Sequence, residues 1–198
     1  MPNLLLSIFL LSGVLTMSLA CPVPLMAAGA TLVKLETNMG DIIIELNEEK
    51  APGTCANFLQ YAREGAYDGT IFHRVINDFM IQGGGFDWNM QEKPSRKSIA
   101  NEADNGLKNE IYTVAMARTN DPHSATSQFF INVKDNTFLN HRSKTVQGWG
   151  YCVFGKVVQG MDVVDKIKAV PTVTRRPHEN VPSLPVTINK ATVLDPRT

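Results

Sequence analysis

Histidine and cysteine are the side chains that most readily cleave bonds or hold metals, and this sequence carries four of the first and three of the second. His73, His123, His141 and His178 never stand four residues apart, and Cys21, Cys55 and Cys152 form no C-x-x-C pair. The spacings that make zinc sites are missing, and neither a metal nor another cofactor is expected. A thiol hydrolase built on Cys55 or Cys152 lacks a local nucleophile signature, and the Gly83-Gly84-Gly85 run is not followed by the Lys-Ser/Thr of a phosphate loop. His73 follows Ile71 and Phe72 in a strand-like run, which suits a hydrogen-bonded core histidine better than a base. With these set aside, the side chains left to weigh include Arg74, Phe79, Met80 and Gln82 in the run from Phe72 to Gly84.

The elements that must position this run are short and mostly of β type. Thr31 to Thr37 alternates Val33 and Leu35 against Lys34 and Glu36, and Asp41 to Leu46 sets Ile42, Ile44 and Leu46 on one side. The Asn38-Met39-Gly40 link makes them a hairpin. Pro52 suits the first turn of a helix, and Cys55, Phe58, Leu59 and Ala62 follow at helical spacing up to Gly65. Strand-like runs then lie near Ile71 to Ile76, Phe79 to Gln82, Ile111 to Ala117, Gln128 to Val133 and Cys152 to Val158. A second helix is expected after Gly160, with Val163, Val164 and Ile167 inward, and Val186 to Leu194 ends the pattern as a strand. Segments 86–109 and 171–185 read as long polar or proline-containing loops, of the kind that carry function or wrap a core. Many short strands with two helices make a mostly β domain. A helix-capped barrel would remove the exposed sheet edges, while periodicity alone leaves a sandwich open. Large residues expected to point inward at Ile42, Ile44, Phe129 and Ile131 argue for a filled interior rather than a ligand-carrying barrel.

The 198 residues are 43% hydrophobic and 19% charged, which fits one soluble domain with a full core. Basic and acidic residues number 19 each, so no bulk field of either sign gathers nucleic acid or an anionic bilayer. Before the first charged residue, Lys34, lies an apolar run from Leu4 to Leu15. It is shorter than the ~18 residues of a spanning helix and is followed by Pro22 and Pro24, so it reads as a signal-peptide core with no membrane span left after cleavage. Ala28-Gly29-Ala30 supplies a cleavage site, which makes residues 1–30 the leader and 31–198 the domain. No Lys or Arg precedes the apolar run, and Ser18-Leu19-Ala20-Cys21 is a poor lipoprotein box, so anchoring through Cys21 is the weaker alternative. Cys55 and Cys152 could pair in an oxidising compartment, but their places on a helix stripe and in a strand suit small buried hydrophobes better.

Three segments together resemble the cyclophilin-type peptidyl-prolyl cis/trans isomerases. Phe72-His73-Arg74-Val75-Ile76-Asn77-Asp78-Phe79-Met80-Ile81-Gln82-Gly83-Gly84 matches the family signature F-H-R-x-I-x-x-F-M-x-Q-G-G at every fixed position. Met116-Ala117-Arg118 with Ser127-Gln128-Phe129-Phe130-Ile131 gives the second, and Phe154-Gly155-Lys156-Val157 with Gly160 to Val164 the third. The likeness runs from about Val33 to Leu194 and, with the leader, is nearest to the periplasmic bacterial cyclophilin A branch. It implies a closed eight-stranded antiparallel barrel capped by two α-helices, with a substrate groove on its outer surface. It also implies a monomer in the periplasm that acts on proline-containing segments of unfolded exported proteins. The alternative is a chaperone module that binds such segments, with incidental turnover.

Rotation about an X-Pro bond meets a barrier of about 20 kcal/mol because amide resonance is lost, and takes roughly 10–100 s unaided. No bond breaks and no proton moves, so an isomerase requires only about 7 kcal/mol of selective transition-state stabilisation to reach the millisecond range. The resemblance assigns this to Arg74, whose guanidinium can donate to the lone pair that the prolyl nitrogen gains when twisted, with Gln82 as the neighbour that locks it. It places Phe79, Met80, Phe130 and Leu139 around the proline ring. Ala117, Arg118 and Thr119 would line the groove mostly through backbone groups, and Gln128 would hydrogen-bond the substrate chain. Strand alternation groups Met80 with Gln82 but excludes Phe79, so the pocket requires an irregular entry into that strand. Phe138 and Tyr151 stand where cyclosporin-sensitive relatives carry Trp and His. Losing the indole N–H removes a donor to the drug, so cyclosporin should inhibit weakly; nanomolar inhibition in a proline-isomerisation assay would refute this.

Overall fold

Alternating burial along the first hairpin starts the sheet. The structure, a computed structural model, describes residues 29–194, so the expected leader with Cys21 lies almost wholly outside the described residues. In β1 (Leu32–Thr37) and β2 (Gly40–Leu46), Val33, Leu35, Ile42 and Ile44 are fully buried. The intervening Lys34 and Glu36 point outward and pair at 2.7 Å. From β1 the sheet continues through β10 (Thr187–Leu194), β3 (Thr70–Ile76), β4 (Met80–Asp87), β6 (Phe129–Asn132), β5 (Thr113–Met116) and β7 (Val153–Gln159), which returns to β2. Every neighbouring pair is antiparallel, and the eight strands close into a barrel that leaves no free edge.

The barrel interior is filled with side chains. Phe72, Ile81, Phe129, Ile131 and Phe154 are fully buried, and Phe58 and Tyr67 meet Phe129 edge-on at 5.4 and 5.5 Å between ring centroids. All four residues expected to point inward do so, which removes the carrier alternative. The helix α1 (Pro52–Arg63) contributes Cys55, Phe58, Leu59 and Ala62 to this core, and α2 (Met161–Lys168) contributes Val163, Val164 and Ile167. Ala51 cannot cap α1 with a side chain. Glu102 does so from the 86–109 loop, accepting from the N–H groups of Gly53 (3.0 Å) and Thr54 (2.8 Å), where a carboxylate also meets the positive end of the helix dipole.

Three sequence expectations change. The strand expected over Phe79 to Gln82 continues through the glycine run to Asp87, inside the segment read as a loop from residue 86. The 171–185 segment is not a plain loop: β8 (Thr172–Arg175) and β9 (His178–Pro182) form a hairpin outside the barrel, packed on β3. All four residues of β8 are exposed, so the hairpin has little of the alternating apolar face that pattern reading requires. The run expected from Ile111 shortens to Thr113, because Tyr112 takes a left-handed conformation (φ 64°) in the preceding turn.

His73, on β3, is buried at 5% exposure, with its ring 4.7 Å from that of Phe86, which in turn meets His178 of the hairpin, and its Nδ1 has no hydrogen-bond partner. Burial, followed by the charges of His178 and Arg74, pushes its pKa down to about 4. Between pH 6.5 and 4 the unfolded chain therefore takes up a proton that the folded chain refuses, so stability is full above pH 6.5 and falls as pH drops through that window. The effect is worth up to roughly 3 kcal/mol at the acid end. Urea unfolding at pH 7 and pH 5 should show His73→Phe losing less stability on acidification than the wild-type chain; equal losses would rule this out.

Candidate active site

Strand register lays the site across the barrel wall. Arg74 in β3 stands opposite Gln82 in β4, Gln82 opposite Phe130 in β6, and Phe130 opposite Ala115 in β5. Their neighbours Val75, Ile81, Ile131 and Val114 belong to the interior, so this row faces outward. A second apolar cluster grows on it, separate from the barrel core: Met80, Ala115, Phe130, Leu139 and Val153, with Ile76, Phe79, Leu107, Ala117 and Tyr151 packed against it. Between them opens a cleft of about 120 Å³ lined by Arg74, Phe79, Met80, Gln82, Ala117, Arg118, Phe130, Leu139 and Tyr151.

Phe79 reaches this face because it is not in the strand. β4 begins at Met80, and Phe79 closes a turn in which its N–H donates to the Ile76 carbonyl (3.2 Å) and Asp78 is left-handed (φ 60°). That is the irregular entry the pocket assignment requires. The Phe79 carbonyl accepts from Val133 N–H (3.1 Å) and Asn136 Nδ2 (2.8 Å). Asn136 Nδ2 also donates to Asn132 Oδ1 (2.7 Å), and Asn132 Nδ2 donates to Asn109 Oδ1 (3.2 Å). The Asn109 N–H in turn donates to Asn140 Oδ1 (2.7 Å), so these buried asparagines tie the 79 turn to the Thr137–Leu139 turn that carries Leu139. Sequence reading missed this support. Its one signal was Asn132 inside an apolar strand, where asparagine is disfavoured unless its amide is satisfied.

A polar chain runs along the opposite rim. Arg74 Nη1 makes a long contact to Gln82 Oε1 (3.5 Å), and Gln82 Nε2 donates to Gln128 Oε1 (2.9 Å). The glycine run makes this possible: a Cβ on Gly85 would sit 2.4 Å from Gln128 Cγ. Gln128 therefore stands next to Gln82, and with Arg74 and Gln82 it lines an adjoining hollow of about 490 Å³ beside the cleft. Arg118 contributes more than backbone. Its Nε donates to the Gly150 carbonyl (3.0 Å), its Nη1 to the Thr119 carbonyl (2.8 Å), and its guanidinium lies 4.6 Å from the centre of the Tyr151 ring. Thr119 itself is exposed, bonded to Ser124, and outside the cleft lining. Phe138 also lies outside it, 63% exposed and stacked on Phe79 at 5.7 Å.

This arrangement offers hydrogen-bond donors beside an apolar slot and no nucleophile. Cys55 and Cys152 are free, buried thiols; burial pushes them up to about 12 and about 11, far from the thiolate that attack requires. Among the described residues no three His, Cys, Asp or Glu side chains cluster as metal ligands. A larger hollow of about 640 Å³ lies between α1 and residues 96–99, but it has no apolar slot beside a fixed donor.

Comparison with known proteins agrees with this geometry. The family profile described as cyclophilin type peptidyl-prolyl cis-trans isomerase/CLD matches residues 32–193. The chain is 65% identical over 162 residues to peptidyl-prolyl cis-trans isomerase cyp18 of Streptomyces antibioticus, covering 82% of this chain and 98% of the relative. It is 59% identical to peptidyl-prolyl cis-trans isomerase B of Escherichia coli (strain K12), covering 82% and 99%. Peptidyl-prolyl cis-trans isomerase A of Dickeya dadantii is 51% identical, with coverage of 85% and 87%. Among solved structures, a cyclophilin type peptidyl-prolyl cis-trans isomerase of Cryptosporidium parvum superposes with TM-score 0.68 at 26% identity, covering 84% of this chain and 98% of that one. Barrel, cleft and sequence together make this chain a member of the cyclophilin-type peptidyl-prolyl cis-trans isomerase family.

Proposed function

We propose that this isomerase turns X-Pro bonds in unfolded exported proteins within the periplasm, with Arg74 as the catalytic residue. The observation that carries the mechanism is the placement of the Arg74 guanidinium on the rim of the slot formed by Phe79, Met80, Phe130 and Leu139, where no carboxylate lines the cleft. A proline ring in the slot puts the prolyl nitrogen within reach of that guanidinium. The planar amide nitrogen has its lone pair in resonance and is a poor acceptor. The twisted nitrogen is pyramidal and accepts, so the hydrogen bond strengthens as the transition state forms. The apolar walls strip water from the rotating amide and raise the worth of that bond. Gln82, held by Gln128, limits the guanidinium's wandering, while Ala117 and the Arg118–Tyr151 wall bound the peptide on the other side.

The cellular setting rests on the sequence: the apolar run at Leu4 to Leu15 and the Ala28-Gly29-Ala30 site support export, with residues 31–198 acting as a monomeric domain. Intact-mass measurement of the secreted chain would detect loss of the leader, and a lipid at Cys21 would overturn release into the periplasm.

Arg74→Ala should lower kcat/KM on an X-Pro peptide by roughly 10²–10³-fold, the scale of losing one transition-state donor, while circular dichroism stays native. Retention of more than half the activity would exclude the mechanism. If assistance to folding in cells survives that substitution, segment binding rather than turnover is the main role. Because His73 beside Arg74 is held neutral by burial and the rotation moves no proton, the rate should vary by less than about twofold between pH 6 and 8. A bell with limbs near neutrality would require a proton-transferring group that this mechanism lacks.

A further inference from the structure

We infer that Arg118 is a specificity-determining residue that favours substrates with an acidic side chain within two residues of the proline. The inference rests on the isomerase reading and concerns which X-Pro sequences are turned over. Two guanidiniums, Arg74 and Arg118, line one small cleft whose remaining lining contains no Asp or Glu. Neither takes part in an ion pair among the described residues. Arg74 also borders an adjoining hollow that holds Glu179, whereas neither hollow lined by Arg118 contains an acidic residue, so the positive charge that no lining residue offsets is that of Arg118.

Arg118 is also held in place before any peptide arrives. Two of its donors are used by the carbonyls of Gly150 and Thr119, and its face lies on Tyr151, which itself meets Phe130 edge-on at 5.7 Å. Gly150 cannot shift easily: its φ is 77°, a Cβ there would fall 2.6 Å from the His141 backbone nitrogen, and its carbonyl also accepts from Asn101 Nδ2 (3.2 Å). No internal hydrogen bond uses Nη2, so a fixed cationic edge remains available to a carboxylate without ordering a long side chain. Lysine and arginine substrates meet the same fixed charge with the opposite sign.

The test uses the full domain and proline peptides carrying Glu, Gln or Lys at each of the two positions before the proline and the one after it. Turnover is followed without a coupling protease, and affinity is measured in parallel by titration. At low salt the best-placed Glu peptide should exceed its Gln counterpart roughly threefold to tenfold in kcat/KM and in affinity, with Lys lowest. The order should flatten as salt shortens the screening length, and Arg118→Gln should bring the Glu:Gln ratio close to one, whatever its effect on the overall rate. Arg118→Lys should restore part of the ratio, which mere loosening of Tyr151 would not. Equal Glu and Gln values in the wild-type chain, or a ratio unchanged in Arg118→Gln, overturn the inference. Glu-selective affinity without turnover of any peptide would support Arg118 and defeat the isomerase reading instead.

Discussion

A guanidinium can stabilise a twisted amide only if it waits where the nitrogen will be, and in this protein that depends on a single chain of side-chain contacts. Arg74 leans on Gln82, Gln82 donates to Gln128, and Gln128 lies over a glycine backbone with no room for a side chain beneath it. The Arg74–Gln82 contact is long, 3.5 Å, so Gln82 guides the guanidinium without saturating its donors. Each of these residues lies on or beside the strands β3, β4 and β6, whose register sets the row. A shift of one residue in any pairing would turn the row inward and bring a core residue out in its place. Closure of the barrel guards against that shift, since every strand is fixed by a neighbour on both sides.

The apolar half of the site relies on a different kind of support. Phe79 and Leu139 belong to turns, which are normally the mobile parts of a domain. Here the turns are immobilised by amides of Asn109, Asn132 and Asn136, all nearly inaccessible to solvent. Each such bond adds only about 1 kcal/mol net, but an unmatched buried amide costs more than that, so the network strongly prefers one arrangement over its neighbours. The slot is therefore specified by hydrogen bonds beneath it as much as by the side chains that form its walls.

These two kinds of support differ in how far they could be read beforehand. Alternation at Val33, Leu35, Ile42 and Ile44 and the helical stripe of Cys55, Phe58, Leu59 and Ala62 report directly on burial, so the barrel wall and α1 were legible from pattern. Phe79 was not, because its orientation comes from a left-handed Asp78 outside any period. The hairpin of β8 and β9 escaped for the opposite reason: β8 is a strand without a buried face. The cap on α1 comes from Glu102, nearly fifty residues further along, and the asparagine ties likewise join distant segments. Local pattern carries no trace of such links. For Thr119 and Gln128 only resemblance points to the groove, because neither an exposed threonine nor a glutamine beside a strand carries a pattern of its own.

The molecule also has two apolar clusters divided by one layer of sheet, the larger inside the barrel and the smaller on its outer surface. Changes in the outer cluster reshape the cleft without opening a void in the inner one, so their energetic effects should largely add to those of interior changes rather than compound them. A lineage carrying this scaffold can thus explore new groove chemistry while the framework absorbs little of the damage, which makes the barrel a tolerant host for diversification.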